Sequence, residues 1–136
     1  MQILRNLQLT GAAARPFLLD AYYVPSSQPK PIVLFAHGFK GFKDWGHWDL
    51  IARQFAEAGF VFIKFNFSHN GTTLAAPTDF ADLEAFGQNN YSKELNDLQA
   101  VLTWLHHGDE RLPAEEADLG RIHLIGHSRG GAISII

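Results

Sequence analysis

Near the end of the sequence, Gly126-His127-Ser128-Arg129-Gly130 sets a serine between glycines two positions away on either side. A serine hydroxyl is a feeble nucleophile until a base takes its proton. Its reach depends on how the chain turns at that point. The preceding Ile122-His123-Leu124-Ile125 suits a short buried strand, and Ala132-Ile133-Ser134-Ile135-Ile136 suits the opening of a helix. A sharp strand-to-helix turn holds the hydroxyl above the end of a sheet in a strained backbone conformation. Side chains at positions 126 and 130 would collide there, which accounts for Gly126 and Gly130. The first turn of the helix adds free N–H groups and a positive dipole end, both favouring negative charge near Ser128. The bare pattern arises by chance in roughly one chain of this composition in twenty. Its weight comes from the strand before it and the helix after it. The plainer alternative is a glycine-rich connection carrying an incidental serine.

The sequence holds 7 histidines, and none is an obvious base. His37 and His127 belong to turn motifs and are assigned to shaping the pocket. His69, in Ser68-His69-Asn70-Gly71, is either a substrate-side contact or a solvated loop residue. His106 and His107 end a helix, where an imidazolium suits the dipole. The histidines are scattered and no close acidic cluster accompanies them, so no metal is expected. Neither a dinucleotide fingerprint nor a P-loop lysine is present, so no organic cofactor is expected either. Phe39, Phe42 and Trp45 are candidates for the wall of an acyl or aromatic pocket, whereas Trp48 is assigned to packing a helix on the sheet. Asp79, Asp82 and Glu84 read as the solvated face of a loop or short helix.

The elements that must position these residues follow from apolar patterning. Residues 3–9 and 17–24 read as an antiparallel strand pair, and 25–31, with Pro25, Pro29 and Pro31, interrupts regular structure. The uninterrupted run 32–36 suits a strand buried on both faces, as does 60–65. Residues 45–58 read as a helix closed by Gly59. The stretch 66–90 is polar and irregular, a length of loop that is usually functional or mobile. Residues 91–107 carry an apolar stripe through Tyr91, Leu95, Leu98, Leu102 and Leu105. Glu94 and Asp97 lie near its start, complementing the dipole, and Gly108 stops it. Alternating strands and helices imply an α/β fold with a predominantly parallel sheet and crossover helices.

Composition bounds the rest. The chain has 136 residues, 46% apolar and 18% charged, with a formal charge of −3 and no cysteine. That apolar content excludes disorder. The missing thiols exclude a disulfide scaffold, a thiolate zinc site and a cysteine nucleophile. A slightly acidic chain without a basic cluster is no match for nucleic acid. No apolar run is long enough to span a membrane, and the start does not resemble a signal peptide, so a soluble cytoplasmic protein is expected.

From about residue 17 to the last residue, the sequence resembles the first half of an α/β-hydrolase fold protein. The resemblance rests on His37-Gly38-Phe39 after the third strand, on Gly126-His127-Ser128-Arg129-Gly130 after the fifth, and on the element order between them. It implies Ser128 as nucleophile and the backbone N–H groups of Phe39 and Arg129 as the oxyanion hole. It also implies that His37, Gly38, Gly126, His127 and Gly130 shape the turns. The implied substrate is a small acyl compound: an ester, thioester or amide cleaved through an acyl-enzyme. Asn66 and His69 depart from the family, whose corresponding loop commonly carries an acidic residue and an Arg-Gly pair. In the family the triad acid and histidine follow the serine. The expectation is therefore that residues 1–136 form the N-terminal portion of one such domain, truncated after the strand that carries the serine. Alone it would be inactive, with the sheet edge at 122–125 open to self-association. A non-catalytic binding or assembly member of the fold, or an acyltransferase, are the alternatives.

Overall fold

A computed structural model describes residues 1–136. Strands β1 (Gln2–Thr10) and β2 (Pro16–Tyr23) form an antiparallel pair. Strand β3 (Lys30–Ala36), helix α1 (Trp48–Glu57) and strand β4 (Val61–Phe65) form the first crossover. Helices α2 (Leu83–Gln88) and α3 (Tyr91–His107), strand β5 (Ala117–Gly126) and helix α4 (Arg129–Ile135) complete the chain. The sheet runs β1-β2-β4-β3-β5. Strands β3, β4 and β5 are mutually parallel, and β2 alone runs against the other strands. No helix is long and apolar enough to cross a membrane.

The apolar runs at 32–36 and 61–65 are continuous because helices cover both faces of the sheet. Ile32, Leu34 and Ala36 point into one core with Ile63, Phe65, Leu98, Val101 and Ile133. Val33, Phe35 and Phe62 point into the other, against Ala52 and Ala56 of α1. Trp48 packs there, its ring 4.2 Å from that of Phe35. Each fully buried side chain of this size contributes about 1.5–3 kcal/mol.

Helix α1 begins three residues later than its pattern suggests, because Gly46 takes a positive φ of 60° and the chain turns through 45–47. Its end is a Schellman motif. Phe60 N–H donates to Phe55 C=O and Gly59 N–H to Ala56 C=O, with the rings of Phe55 and Phe60 5.6 Å apart. Helix α3 has the boundaries its sequence implies, capped by Asn90 Oδ1, which accepts from Lys93 N–H at 2.9 Å. Glu94 and Asp97, near its start, are buried, at 2% and 0% exposure, and pair with partners far away in sequence.

Two further differences have local causes. The polar stretch 66–90 contains α2, started by Asp82, whose side chain accepts from Ala85 N–H. Strand β5 starts five residues before the apolar run at 122–125. It is the outer strand rather than a buried one, with Leu124 40% and Ile125 38% exposed. Its first half carries Asp118, Gly120 and Arg121, with the Asp118 side chain bonded to Gly120 N–H and to Arg121, and this polar stretch hides the start of the strand from a pattern search.

Candidate active site

Strands β3 and β5 lie side by side in parallel register, with Ala36 opposite Gly126. The turns that leave their C-terminal ends are therefore neighbours. Ser128 sits between β5 and α4 with φ 55° and ψ −116°, a conformation L-residues avoid, and its side chain is exposed. A Cβ on Gly126 would lie 2.3 Å from Gly131 Cα, and one on Gly38 would lie 3.1 Å from Ser128 Cβ. His127 N–H donates to Ala36 C=O at 3.0 Å, tying the two turns together.

The β3–α1 loop opens with a tight turn in which Gly41 N–H donates to Gly38 C=O, and Lys40 takes a positive φ of 58°. Phe39 is at its tip, 60% exposed, and its N–H donates to no backbone carbonyl. Arg129 opens α4, where the first N–H groups have no intrahelical acceptor. A cleft of about 80 Å³ separates these elements, and its lining includes His37, Phe39, Asn70, Phe86, Glu94 and Arg129. The Phe39 ring lies 5.4 Å from that of Phe86, giving the cleft one aromatic wall. Trp45 is 51% exposed and is not part of that lining. A larger cavity of about 320 Å³ lies at the C-terminal end of α3, lined by residues such as Trp104, Leu112 and Leu119. Ser128 lines neither cavity; its strained backbone, rather than volume, locates the candidate site.

His37 and His127 differ sharply. His127 is exposed, its ring 5.6 Å from Trp48. His37 is buried and bonded at both nitrogens: Nε2 accepts from Phe67 N–H at 3.0 Å, so Nδ1 carries the proton given to Gly38 C=O at 2.9 Å. It is a strut between two loops rather than a base. Burial pushes its imidazole down to about 4, only partly opposed by the Gly38 hydrogen bond. An unfolded chain takes up that proton near pH 6.5 while the folded state does not. The stabilisation from neutral His37 is therefore complete above pH 6.5 and is lost as pH falls towards 4. Unfolding of the full-length protein by urea should show a loss from this group on the order of 2 kcal/mol between pH 7 and pH 5. An NMR titration placing the His37 midpoint above pH 6 would contradict this.

His69 is buried, its Nδ1 2.8 Å from Ser68 Oγ, and does not line the cleft. Burial, with help from Lys93 and Arg15, lowers its pKa against the opposing pull of Asp82. Asn70, next in the chain, takes the cleft-facing place. Its Nδ2 donates to Gly41 C=O at 3.2 Å.

Several site-supporting residues escaped sequence reasoning because they are charged or polar types that pattern alone places in solvent. Glu94 pairs with Arg129, whose guanidinium lies 4.4 Å over the Tyr91 ring, fixing the start of α4 to α3. Asp97 accepts from Ala12 N–H at 2.9 Å and Ser68 N–H at 2.7 Å. Burial raises the Asp97 carboxyl above its ordinary value, against the lowering effect of those two donors.

Fold and turn geometry agree with a match to the alpha/beta hydrolase family model over residues 33–136. The chain belongs to that family. Three solved structures illustrate the likeness, each with 98% of this chain aligned. Esterase Est22 is 19% identical with a TM-score of 0.71, and 37% of its chain is covered. A lipase/esterase from Lactobacillus plantarum is 23% identical with a TM-score of 0.70, with 48% covered. A dienelactone hydrolase-like promiscuous phosphotriesterase, P91, from metagenomic libraries is 22% identical with a TM-score of 0.70, with 52% covered. The chain thus spans between about a third and a half of the length of these structures. No curated protein matches the sequence.

Proposed function

We propose that residues 1–136 are the nucleophile-bearing portion of a serine hydrolase that cleaves a small ester, thioester or amide. The observation that carries this reading is the backbone of Ser128, strained at φ 55° in a turn packed against the Gly38 turn. Ser128 Oγ attacks the acyl carbon as a base takes the hydroxyl proton, and the carbonyl electrons move onto oxygen. The N–H groups of Phe39 and Arg129 hold that oxyanion; losing one such donor typically costs about 10²–10³ in rate. Collapse expels the leaving group, which takes up the proton, and water then releases the acyl group and restores Ser128. His37 cannot be the base, since both its nitrogens are bonded to backbone. The base and its acidic partner are assigned to chain beyond residue 136, following the family order.

The test is chemical. Full-length protein treated with a fluorophosphonate and digested should carry the adduct on the peptide containing Ser128. An adduct elsewhere, or none on protein that turns over an acyl ester, ends this reading.

A further inference from the structure

Four charged side chains form a closed ring beneath the β3–α1 loop. Asp20 Oδ2 on β2 accepts from Lys43 Nζ at 3.0 Å and from Lys64 Nζ on β4 at 3.1 Å. Asp44 closes the circuit, its Oδ2 2.7 Å from Lys43 Nζ and its Oδ1 2.7 Å from Lys64 Nζ. Two positive and two negative groups alternate, so the ring carries no net charge. Asp20, Lys43 and Lys64 are essentially sealed from water, at 0%, 1% and 0% exposure. Asp20 Oδ1 also accepts from Asn6 N–H at 2.8 Å.

Burying such groups adds little net stability, because the loss of hydration cancels most of the attraction, and apolar replacements of similar volume are often no worse. What a buried ring supplies is one fixed geometry. Here the geometry it fixes is that of a loop. Lys64 Nζ donates to Lys43 C=O at 2.9 Å, and Asn66 Oδ1 accepts from Lys43 N–H at 2.7 Å. Asn70 Nδ2 holds Gly41 C=O from the same side. Backbone groups of the loop at residues 41 and 43 are thus gripped by the end of β4 and the segment after it, two to four residues from Phe39.

We infer that the Asp20–Lys43–Asp44–Lys64 ring, with Asn66, is the positioning device for the Phe39 N–H, fixing where that donor meets the oxyanion formed at Ser128. This rests on the reading of Ser128 as nucleophile. Lys64 and Asn66 touch no reacting atom; they act through the loop. Because a misplacement of about 1 Å can cost about 10²-fold in rate, loosening the loop should slow chemistry at the serine without preventing folding.

The test uses the full-length protein and a fluorophosphonate, read as two quantities. The fraction labelled at completion counts correctly folded molecules; the rate constant reports positioning. Lys64→Met/Asp44→Asn removes one charge of each sign and leaves the Asp20–Lys43 pair. Labelling should go to completion, with a rate constant lowered about 10- to 100-fold. Asn66→Ala should show the same slowing, whereas Asn66→Asp, which keeps the acceptor oxygen, should retain most of the rate. Should the double variant fail to fold, the Asn66 pair decides. Variants that label at the parental rate overturn the inference while leaving Ser128 as the nucleophile. A parent protein that takes no label on Ser128 overturns both.

Discussion

Ser128→Ala in the full-length protein is expected to lower kcat on an acyl ester by about 10⁴ or more, since removing a serine nucleophile abolishes the covalent route. Stability should be nearly unchanged. Ser128 carries no capping hydrogen bond at the start of α4, and alanine inherits the same backbone conformation of φ 55° and ψ −116°. Ser128→Gly separates the two properties. It should be equally inactive, yet more stable than the alanine variant by about 1 kcal/mol, because glycine alone adopts that region without steric cost. The entropy lost by glycine on folding offsets part of the relief. Steady-state kinetics and urea midpoints on the three proteins check both halves. A serine turn whose glycine variant is no more stable than its alanine variant would not be a site of stored strain.

How much of this was legible depended on whether the determining contacts were local. Helix α3 could be delimited from residues because its signals are its own: Asn90 caps the start and Gly108, at φ 82°, stops the end. The Ser128 turn was legible in part for the same reason: a Cβ on Gly126 would strike Gly130 and Gly131, within five residues. Gly130 is required by Ala36 and His37 at the end of β3, far away in sequence, and was recognised only as part of the pattern. Helix α2 was hidden because its only strong local mark is Asp82, and its aromatic partners come from outside it. Phe86 lies against Phe39 and Phe80.

Charged residues were the opaque part. Asp20 and Lys64 pair across 44 positions, and Ala12 meets Asp97 across 85. Nothing in the neighbourhood of either residue in sequence announces that it is buried. Glu94 and Asp97 lie near the start of α3, where an acidic residue complements the dipole. Position alone does not show that the inward face of α3 there meets Arg129, the Ala12 turn and the Ser68 loop. His69 and Asn70 show the same limit on a finer scale. A histidine looks like the chemically active member of the pair, yet the neighbouring asparagine reaches the cleft, since which of two adjacent side chains faces in depends on the loop's exit from β4.

Gly130→Ala is expected to cost about 3 kcal/mol or more, at the upper end of what overpacking does. A Cβ there would lie 2.1 Å from Ala36 C=O oxygen and 2.5 Å from His37 C=O oxygen. Both are backbone atoms at the end of a central strand, so no rotamer change gives relief. Either α4 lifts from the sheet or β3 yields, and each alternative breaks contacts that hold Ser128 beside Gly38. Activity should therefore fall together with stability, unlike the Ser128 variants, in which the two separate. Gly87→Ala is the matched control: the position is helical, has no atom within 4 Å of an added Cβ, and avoids positive φ. It should be stabilised by about 0.5–1 kcal/mol through helix propensity. Thermal or urea unfolding of both variants reads the contrast. If Gly130→Ala unfolded within about 0.5 kcal/mol of the parent, the range of ordinary surface substitutions, the close packing of the serine turn against β3 would be wrong, and the placement of the oxyanion donors with it.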